Sequence, residues 1–278
     1  MDFDEFLKEA TPLLGLQKRP FQRRGIKRKI EYRIAEIGLS NDEEYLFRIK
    51  KDPEEKSYLS KILTITISRF FRDKEVFNTL GNSIIPSLLI EKNREDLKIW
   101  SIGCASGEEP YSLSLLWKEK FEKNWPQLRL CILATDINEH LLRRAREGKY
   151  KKSTLKEVAE GTLNNYFRFE NGFYILDQTI RESVAFRKHD ILHDEPLSGM
   201  DIVFCRNLAF TYFSKECQIE VLKKIATSLR KKGYLVIGKD ESLPLTYPTL
   251  FVPVFPAGKI YQKFSRIIQV DEVNLSLI

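Results

Sequence analysis

Cysteine pairs, long apolar runs and phosphate-binding signatures are all missing from this chain of 278 residues. Its four cysteines, Cys104, Cys131, Cys205 and Cys217, form no C-x-x-C pair, so neither a disulfide framework nor a metal is expected. Three lie in or beside predicted buried strands and read as reduced packing residues. No apolar stretch approaches the ~18 residues of a membrane-spanning helix, and the acidic start Met1-Asp-Phe-Asp-Glu5 is unlike a signal peptide. The expected location is the cytoplasm. Neither G-x-G-x-x-G nor G-x-x-x-x-G-K-S/T occurs, which speaks against a dinucleotide or a triphosphate. There is also no His or Cys constellation of the kind used for nucleophilic catalysis.

What is present is a globular composition, 42% apolar and 31% charged, long enough for one large or two ordinary domains. The formal charge of +7 is concentrated in residues 18–33. There Ile26, Ile30, Tyr32 and Ile34 recur near helical spacing. Arg23, Arg24, Lys27, Arg28, Lys29 and Arg33 are left mostly on the open side. Such a face can meet nucleic acid, anionic lipid or an acidic protein, or can simply be solvated; no nucleic-acid module is recognisable.

The chain is organised around residues 97–111. A strand, Leu97 to Ile102, leads through Gly103-Cys-Ala-Ser-Gly107 into a helix carrying Leu113, Leu115 and Leu116. An open α/β sheet binds its ligand at such a point, outside the carboxyl end of a strand. Glu108 and Glu109 occupy the helix N-terminus, where they complement the dipole and would repel a pyrophosphate. The expected guest has cationic groups and hydroxyls, as S-adenosylmethionine does; an ordinary βα turn with a charged first helical turn is the alternative. The next strand, Leu128 to Ile137, ends in Asp136, where a carboxylate accepts the two ribose hydroxyls of a nucleoside. A plain helix N-cap is the alternative there.

The first 77 residues read as helices: Asp2 to Leu14, Arg23 to Ile37 ended by Gly38, Glu43 to Lys50 after the capping signal at Ser40, and a fourth opened by Pro53. Residues 62–73, with the aromatic pair Phe70 and Phe71 followed by Arg72 and Asp73, read as a packed extended segment. A connecting helix follows within 78–96. Between 151 and 188 Asn171-Gly172 separates alternating apolar runs and predicts a hairpin in a small antiparallel insert, about 162–183. Strands at Val184 to Asp190, Met200 to Asn207 and Tyr234 to Gly238, a helix from Ser214 to Leu229 closed by Lys232-Gly233, and an antiparallel pair near Leu250 to Val254 and Lys259 to Phe264 complete the chain. The expected fold is α/β: a doubly wound, mostly parallel, Rossmann-like sheet over residues 97–266, with the antiparallel insert and an all-helical N-terminal domain. Residues 267–278 form a tail.

Phe70-Phe-Arg-Asp73, Trp100-Ser-Ile-Gly-Cys-Ala-Ser-Gly-Glu-Glu-Pro-Tyr-Ser112, Ala134-Thr-Asp-Ile137, His189-Asp-Ile-Leu192 and Phe204-Cys-Arg-Asn207 with Tyr212-Phe213 resemble the successive motifs of the CheR-type protein-glutamate O-methyltransferases. The resemblance runs from about residue 10 to about 265. It implies S-adenosylmethionine as cofactor, S-adenosylhomocysteine as product, and glutamates on the cytoplasmic coiled coil of a methyl-accepting chemotaxis protein, or a similar signalling protein, as acceptors. It implies Glu108 at the methionine end, Asp136 on the ribose, Asp190 and Ile191 flanking the adenine, and Arg206 and Asn207 beneath the methyl. Gly103 forms the turn; Thr66, Ser68 and Arg72 close the helical domain over the site. Arg72 and Tyr212 are expected nearest the acceptor, and Arg23, Arg24, Lys27 and Arg28 are expected to face the partner.

Methyl transfer to a carboxylate is an in-line displacement that needs no general base, because a glutamate is already ionised at neutral pH. The lack of a catalytic His or Cys is consistent with that. The chain departs from the family at Thr66, where asparagine is usual, and at Gly238-Lys-Asp-Glu241, where Gly-His-Ser-Glu is usual. The insert also lacks the glycine-rich loop residues of members that tether to a receptor pentapeptide, so pentapeptide-independent action by a monomer, without nucleic acid or membrane insertion, is expected. The alternative function is a sensor or scaffold that binds S-adenosylmethionine or S-adenosylhomocysteine without turnover.

Overall fold

A computed structural model describes residues 1–18, 21, 24–63, 68–90 and 95–264. Four helices open the chain: α1 (Phe3–Leu13), α2 (Arg24–Glu36), α3 (Asp42–Lys51) and α4 (Pro53–Leu63). Their starts follow from local chemistry. Asp2 and Glu5 close a capping box on α1, Asn41 accepts the N–H groups of Glu43 and Glu44 at α3, and Pro53 opens α4. On α2 the residues Ile26, Ile30 and Ile34 repeat every four positions and are buried. Tyr32 falls two residues off that stripe and is 72% exposed, so it is not one of the packing residues its apolar ring suggested.

Arg33 also departs from expectation. It turns inward, donating from Nε at 3.0 Å and Nη2 at 2.7 Å to Glu55 of α4, whose Oε1 also accepts the Tyr45 hydroxyl at 2.8 Å. The guanidinium holds the Glu55 carboxyl below its ordinary value of 4.5, against burial that pushes the other way. Because the folded value is depressed, this contribution to stability is present above pH 4.5 and is lost as pH falls through the lower folded value. Glu55→Ala leaves Arg33 and Tyr45 without their common acceptor and is expected to cost about 2–3 kcal/mol, read by urea unfolding at pH 7.

After the FFRD motif, α5 (Lys74–Thr79) and α6 (Ile85–Leu89) run on through one π turn, Leu80–Ile84. That turn sits just before Pro86, whose ring a regular α register would drive into the preceding carbonyl. The sheet region then follows as β1 (Asp96–Ile102), α7 (Glu108–Lys120), β2 (Arg129–Asp136), α8 (Glu139–Glu147), β3 (Lys149–Tyr150), α9 (Glu160–Tyr166), β4 (Phe167–Glu170), β5 (Phe173–Leu176), α10 (Gln178–Glu182), β6 (Val184–Lys188), β7 (Met200–Cys205), α11 (Ala209–Tyr212), α12 (Lys215–Ser228), β8 (Leu229–Ile237), β9 (Phe251–Phe255) and β10 (Ile260–Lys263).

The large sheet has seven strands in the order β6-β2-β1-β7-β8-β10-β9; the first five are parallel and the last two antiparallel. This is the doubly wound, mostly parallel α/β fold expected from the sequence. Chain order runs outward from β1 in one direction and from β7 in the other, so the switch point lies between those two strands. Alternation along the strands divides the core. Trp100, Ile102, Val203, Cys205, Leu235 and Ile237 pack in one cluster with the buried residues of α1–α4 and α12. Ile99, Ile202, Phe204, Tyr234 and Val236 pack in the other, with residues of α5–α7.

The insert is a three-stranded antiparallel sheet, β3-β5-β4, whose hairpin turns on Asn171 at φ 51° and Gly172 at φ 80°. Two local expectations are corrected. Lys232-Gly233 does not close α12, which ends at Ser228; the pair lies inside β8, with Lys232 at φ 60° and a register shift against β7. A Cβ on Gly233 would come within 3.1 Å of the Arg230 and Asp201 carbonyl oxygens, so the glycine serves a bulge in a crowded sheet. Cys131, near the start of β2, is exposed, whereas Cys104 and Cys205 are buried. No helix among the described residues is long and apolar enough to cross a membrane.

Candidate active site

The turn after β1 is built from its glycines outward. Gly103 at φ 69° and Gly107 at φ 88° take left-handed backbone, and the Gly103 and Cys104 N–H groups donate to the Thr135 carbonyl at 2.8 and 3.0 Å. A Cβ on Gly103 would lie 2.6 Å from the Leu208 side chain, which follows β7. A side chain here would be strained by the left-handed backbone and would push the Leu208 side chain aside. At the tip of β2 the Asp136 carboxylate accepts the Ala105 and Asn138 N–H groups, each at 2.9 Å. It thus braces both the glycine turn and Asn138, the residue that caps α8, and burial raises its pKa.

Glu108, first residue of α7, is 4% exposed and its Oε2 has no hydrogen-bond partner among the described residues. Burial pushes its pKa up to about 7, against its backbone hydrogen bond and the Arg144 charge, which lower it. A buried carboxylate oxygen without a donor, beside a turn lined by Asp136, fits a cationic, phosphate-free ligand such as S-adenosylmethionine. Glu109 has a different task. Its Oε1 accepts the Ser101 hydroxyl at 2.8 Å, and its Oε2 pairs with Arg206 Nη1 at 3.1 Å.

Arg206, 7% exposed after β7, joins two other parts of the chain: Glu109, and the segment before α5 through the Asp73 carboxylate and the Arg72 carbonyl, the last at 3.0 Å from Nη2. Asp73 sits in left-handed backbone at φ 62°, so its side chain is turned into this pair at the cost of a strained conformation. The neighbouring Asn207, at φ 55°, is held by Glu241. That carboxylate, 3% exposed, accepts the Asn207 and Gly238 N–H groups at 2.8 and 2.6 Å and the Thr211 hydroxyl at 2.6 Å. Burial raises its pKa.

A cavity of about 680 Å³ opens at the β1/β7 crevice. Six of the residues singled out from the sequence line it: Gly103, Asp136, Asp190, Ile191, Asn207 and Tyr212. Glu108, Ser68, Arg72 and Arg206 are not among its lining residues. Thr66 lies outside the described residues, as does Arg23; Arg24, Lys27 and Arg28 are exposed on α2. Tyr212, 8% exposed, stacks on Phe21 with ring centroids 5.5 Å apart. The segment after α1 reaches the same place, since Gln17 N–H donates to the Tyr212 carbonyl at 2.8 Å.

Sequence reasoning missed the wall contributed by Leu13, Leu14, Lys56, Ser57 and Ser60, and the roles of Glu109, Asp73 and Glu241. For Glu109 a signal was available: two adjacent acids at a helix start exceed what one dipole needs, and Ser101 and Arg206 both end strands that flank it. Nothing local marks Lys56 as a cavity residue.

The family described as CheR methyltransferase, SAM binding domain, matches residues 66–255. The chain is 32% identical over 242 residues to a chemotaxis protein methyltransferase of Listeria monocytogenes, covering 87% of this chain and 90% of that one. A chemotaxis protein methyltransferase of Borreliella burgdorferi is 30% identical over 226 residues, covering 77% and 80% respectively. A second one from Pseudomonas putida is 30% identical over 253 residues, covering 87% and 90%. With the glycine turn, the carboxylate at the tip of β2 and the cavity between them in place, the chain belongs to the CheR methyltransferase family and is an S-adenosylmethionine-dependent methyltransferase.

Proposed function

We propose that this enzyme methylates glutamate side chains of a chemoreceptor-like, methyl-accepting protein in the cytoplasm, giving the glutamate 5-O-methyl ester and S-adenosylhomocysteine. One observation carries the reading. A single cavity joins two carboxylates suited to a nucleoside, Asp136 and Asp190, to a wall containing Tyr212 and Lys56, groups suited to an anionic acceptor. The chemotaxis names of its relatives support the same acceptor class.

On this reading Asp136 takes the ribose hydroxyls, Asp190 and Ile191 flank the adenine, and Glu108 meets the ammonium of the methionine end. Gly103 and Asn207 shape the wall around the reacting centre, while Ser68 and Arg206, outside that wall, and Thr66 are assigned to the cofactor site by the family resemblance. The bound cofactor supplies an activated methyl group on a sulfonium. The chain's own work is orientation, since a glutamate carboxylate is ionised at neutral pH and no proton has to be removed. The Arg72 guanidinium holds the carboxylate through two parallel bonds and the Tyr212 hydroxyl donates a further one. Arg206 contributes by fixing the Arg72 backbone.

The exposed basic residues of α2 meet the acidic coiled coil of the acceptor. Changing Arg24, Lys27 and Arg28 to glutamate is expected to raise the acceptor KM about tenfold and to reverse its dependence on salt, with cofactor affinity unchanged. The compact insert supports action without pentapeptide tethering. Removing the receptor's C-terminal pentapeptide is therefore expected to leave the rate unchanged. The whole reading is tested by transfer of tritiated methyl groups into purified chemoreceptor cytoplasmic fragments. Label that leaves as volatile methanol in mild alkali supports a carboxyl ester; alkali-stable label refutes it.

A further inference from the structure

Lys224 stands on α12, and its ammonium donates to three backbone carbonyls of the loop after β6: Ile191 at 3.1 Å, Leu192 at 2.8 Å and Asp194 at 2.9 Å. An ammonium has three donors, and all three go to this loop. The loop is otherwise closed on itself. The Asp190 carbonyl accepts the N–H groups of His193 and Asp194 at 3.1 and 2.8 Å, and the Asp194 carboxylate accepts the Asp190 N–H at 2.9 Å. The Asp190 carboxylate accepts the Leu192 N–H at 2.9 Å and meets His193 Nδ1 at 2.8 Å. The result is a single tight turn whose carbonyls converge on one cation, as the last carbonyls of a helix do on a capping lysine.

That turn is one side of the cavity, since Asp190, Ile191, Leu192 and His193 all line it. So does Glu220, one helical turn before Lys224 on the same helix. α12 is therefore the rigid element against which the loop is referenced, and Lys224 is the link.

We propose that Lys224 is a positioning residue for the nucleoside half of the cofactor: its three bonds fix the backbone path of residues 190–194, so that Asp190 and Ile191 face the cavity. This rests on the reading that those two residues flank the adenine. Without the ammonium, three carbonyls lose a charged donor and the turn populates other conformations. Ligand binding then carries the cost of ordering it.

The experiment is calorimetric titration of the full chain with S-adenosylhomocysteine and with 5′-methylthioadenosine, which lacks the amino-acid end. Lys224→Met is expected to weaken both ligands by the same factor, about tenfold, at a temperature well below its melting point. Lys224→Arg, which keeps the charge but offers a planar fork in place of three tetrahedral donors, is expected to restore about half of that loss and not the whole of it, and Lys223→Met on the exposed side of the helix to change nothing. Glu108→Gln, in contrast, is expected to weaken only S-adenosylhomocysteine. Constants for Lys224→Met within twofold of wild type for both ligands would overturn the inference, as would a loss confined to S-adenosylhomocysteine. Should Lys224→Met fail to fold, Lys224→Arg decides: unchanged constants for both ligands overturn the inference, and an equal, smaller loss for both supports it. Wild-type protein that bound neither ligand would overturn the adenine reading itself.

Discussion

Glu108→Gln is expected to weaken S-adenosylmethionine binding about 100-fold at pH 8, the loss of a buried, charge-assisted contact to an ammonium. Wild-type affinity is expected to change with pH in a way the variant does not share. Burial holds the Glu108 pKa at about 7, above its ordinary 4.5. In the free protein the raised value means that the group's contribution to stability is complete below pH 4.5 and is lost as pH rises through about 7. A cationic ligand reverses the balance, because it favours the ionised form. Binding below pH 7 must then release a proton, and affinity should rise about tenfold between pH 6 and pH 8 before levelling off. Calorimetry in buffers of different ionisation enthalpy measures both the constant and the proton. A flat wild-type profile, or a Glu108→Gln protein with the wild-type profile, would remove Glu108 from the cofactor site.

Arg206→Ala is expected to have the largest effect on the fold and on turnover together. The guanidinium is buried between Asp73 and Glu109, and its removal leaves two partly buried carboxylates without their shared cation. Breaking such a pair from one side costs about 3–5 kcal/mol, or on the order of 10 °C in melting temperature for a chain of this size. The segment Phe70 to Asp73 also loses both of its ties to the end of β7. Turnover is therefore expected to fall more than 100-fold, since a misplacement of about 1 Å is enough for that. Arg206→Lys keeps the charge but cannot reach Glu109, Asp73 and the Arg72 carbonyl at once, so it should recover stability better than activity. Asp73→Asn should be milder in both respects, because Arg206 keeps Glu109. Equal losses in all three variants would contradict this ordering.

How much of this was legible in the sequence depended on how local the cause was. The Asn171-Gly172 turn and the Gly103 to Gly107 turn each rest on residues within a few positions of one another, and each lies where the pattern placed it; the cap of α3 falls on Asn41, one residue after the expected Ser40. The parallel strands were legible because buried strands read as continuous apolar runs. The failures share a different cause. Arg33 looked like one more surface cation because the carboxylate it turns to, Glu55, and the Tyr45 hydroxyl that shares it come from other helices. Lys232-Gly233 looked like a helix stop because the crowding that requires the glycine comes from the neighbouring strand, at Asp201.

The candidate site divides in the same way. Gly103, Asp136, Asp190 and Asn207 sit at strand ends, where topology alone brings them to one crevice, and they line the cavity together. Some of the groups that hold the crevice are 30 or more residues distant: Ala105 from Asp136 by 31, Asn207 from Glu241 by 34 and Ile191 from Lys224 by 33. A lysine on an amphipathic helix and a glutamate in the loop after a strand carry no mark of such a task. Only the fold, by setting α12 beside the loop after β6 and Glu241 beside the end of β7, assigns it to them.

The most direct test of the account is mass analysis of a chemoreceptor cytoplasmic fragment incubated with the enzyme and S-adenosylmethionine, with the modified residue located by fragmentation before and after mild alkali. One methyl group on a glutamate, lost on alkaline treatment and absent with Arg72→Ala protein, is the predicted result. A methyl group on lysine, arginine or histidine that survives alkali would contradict it.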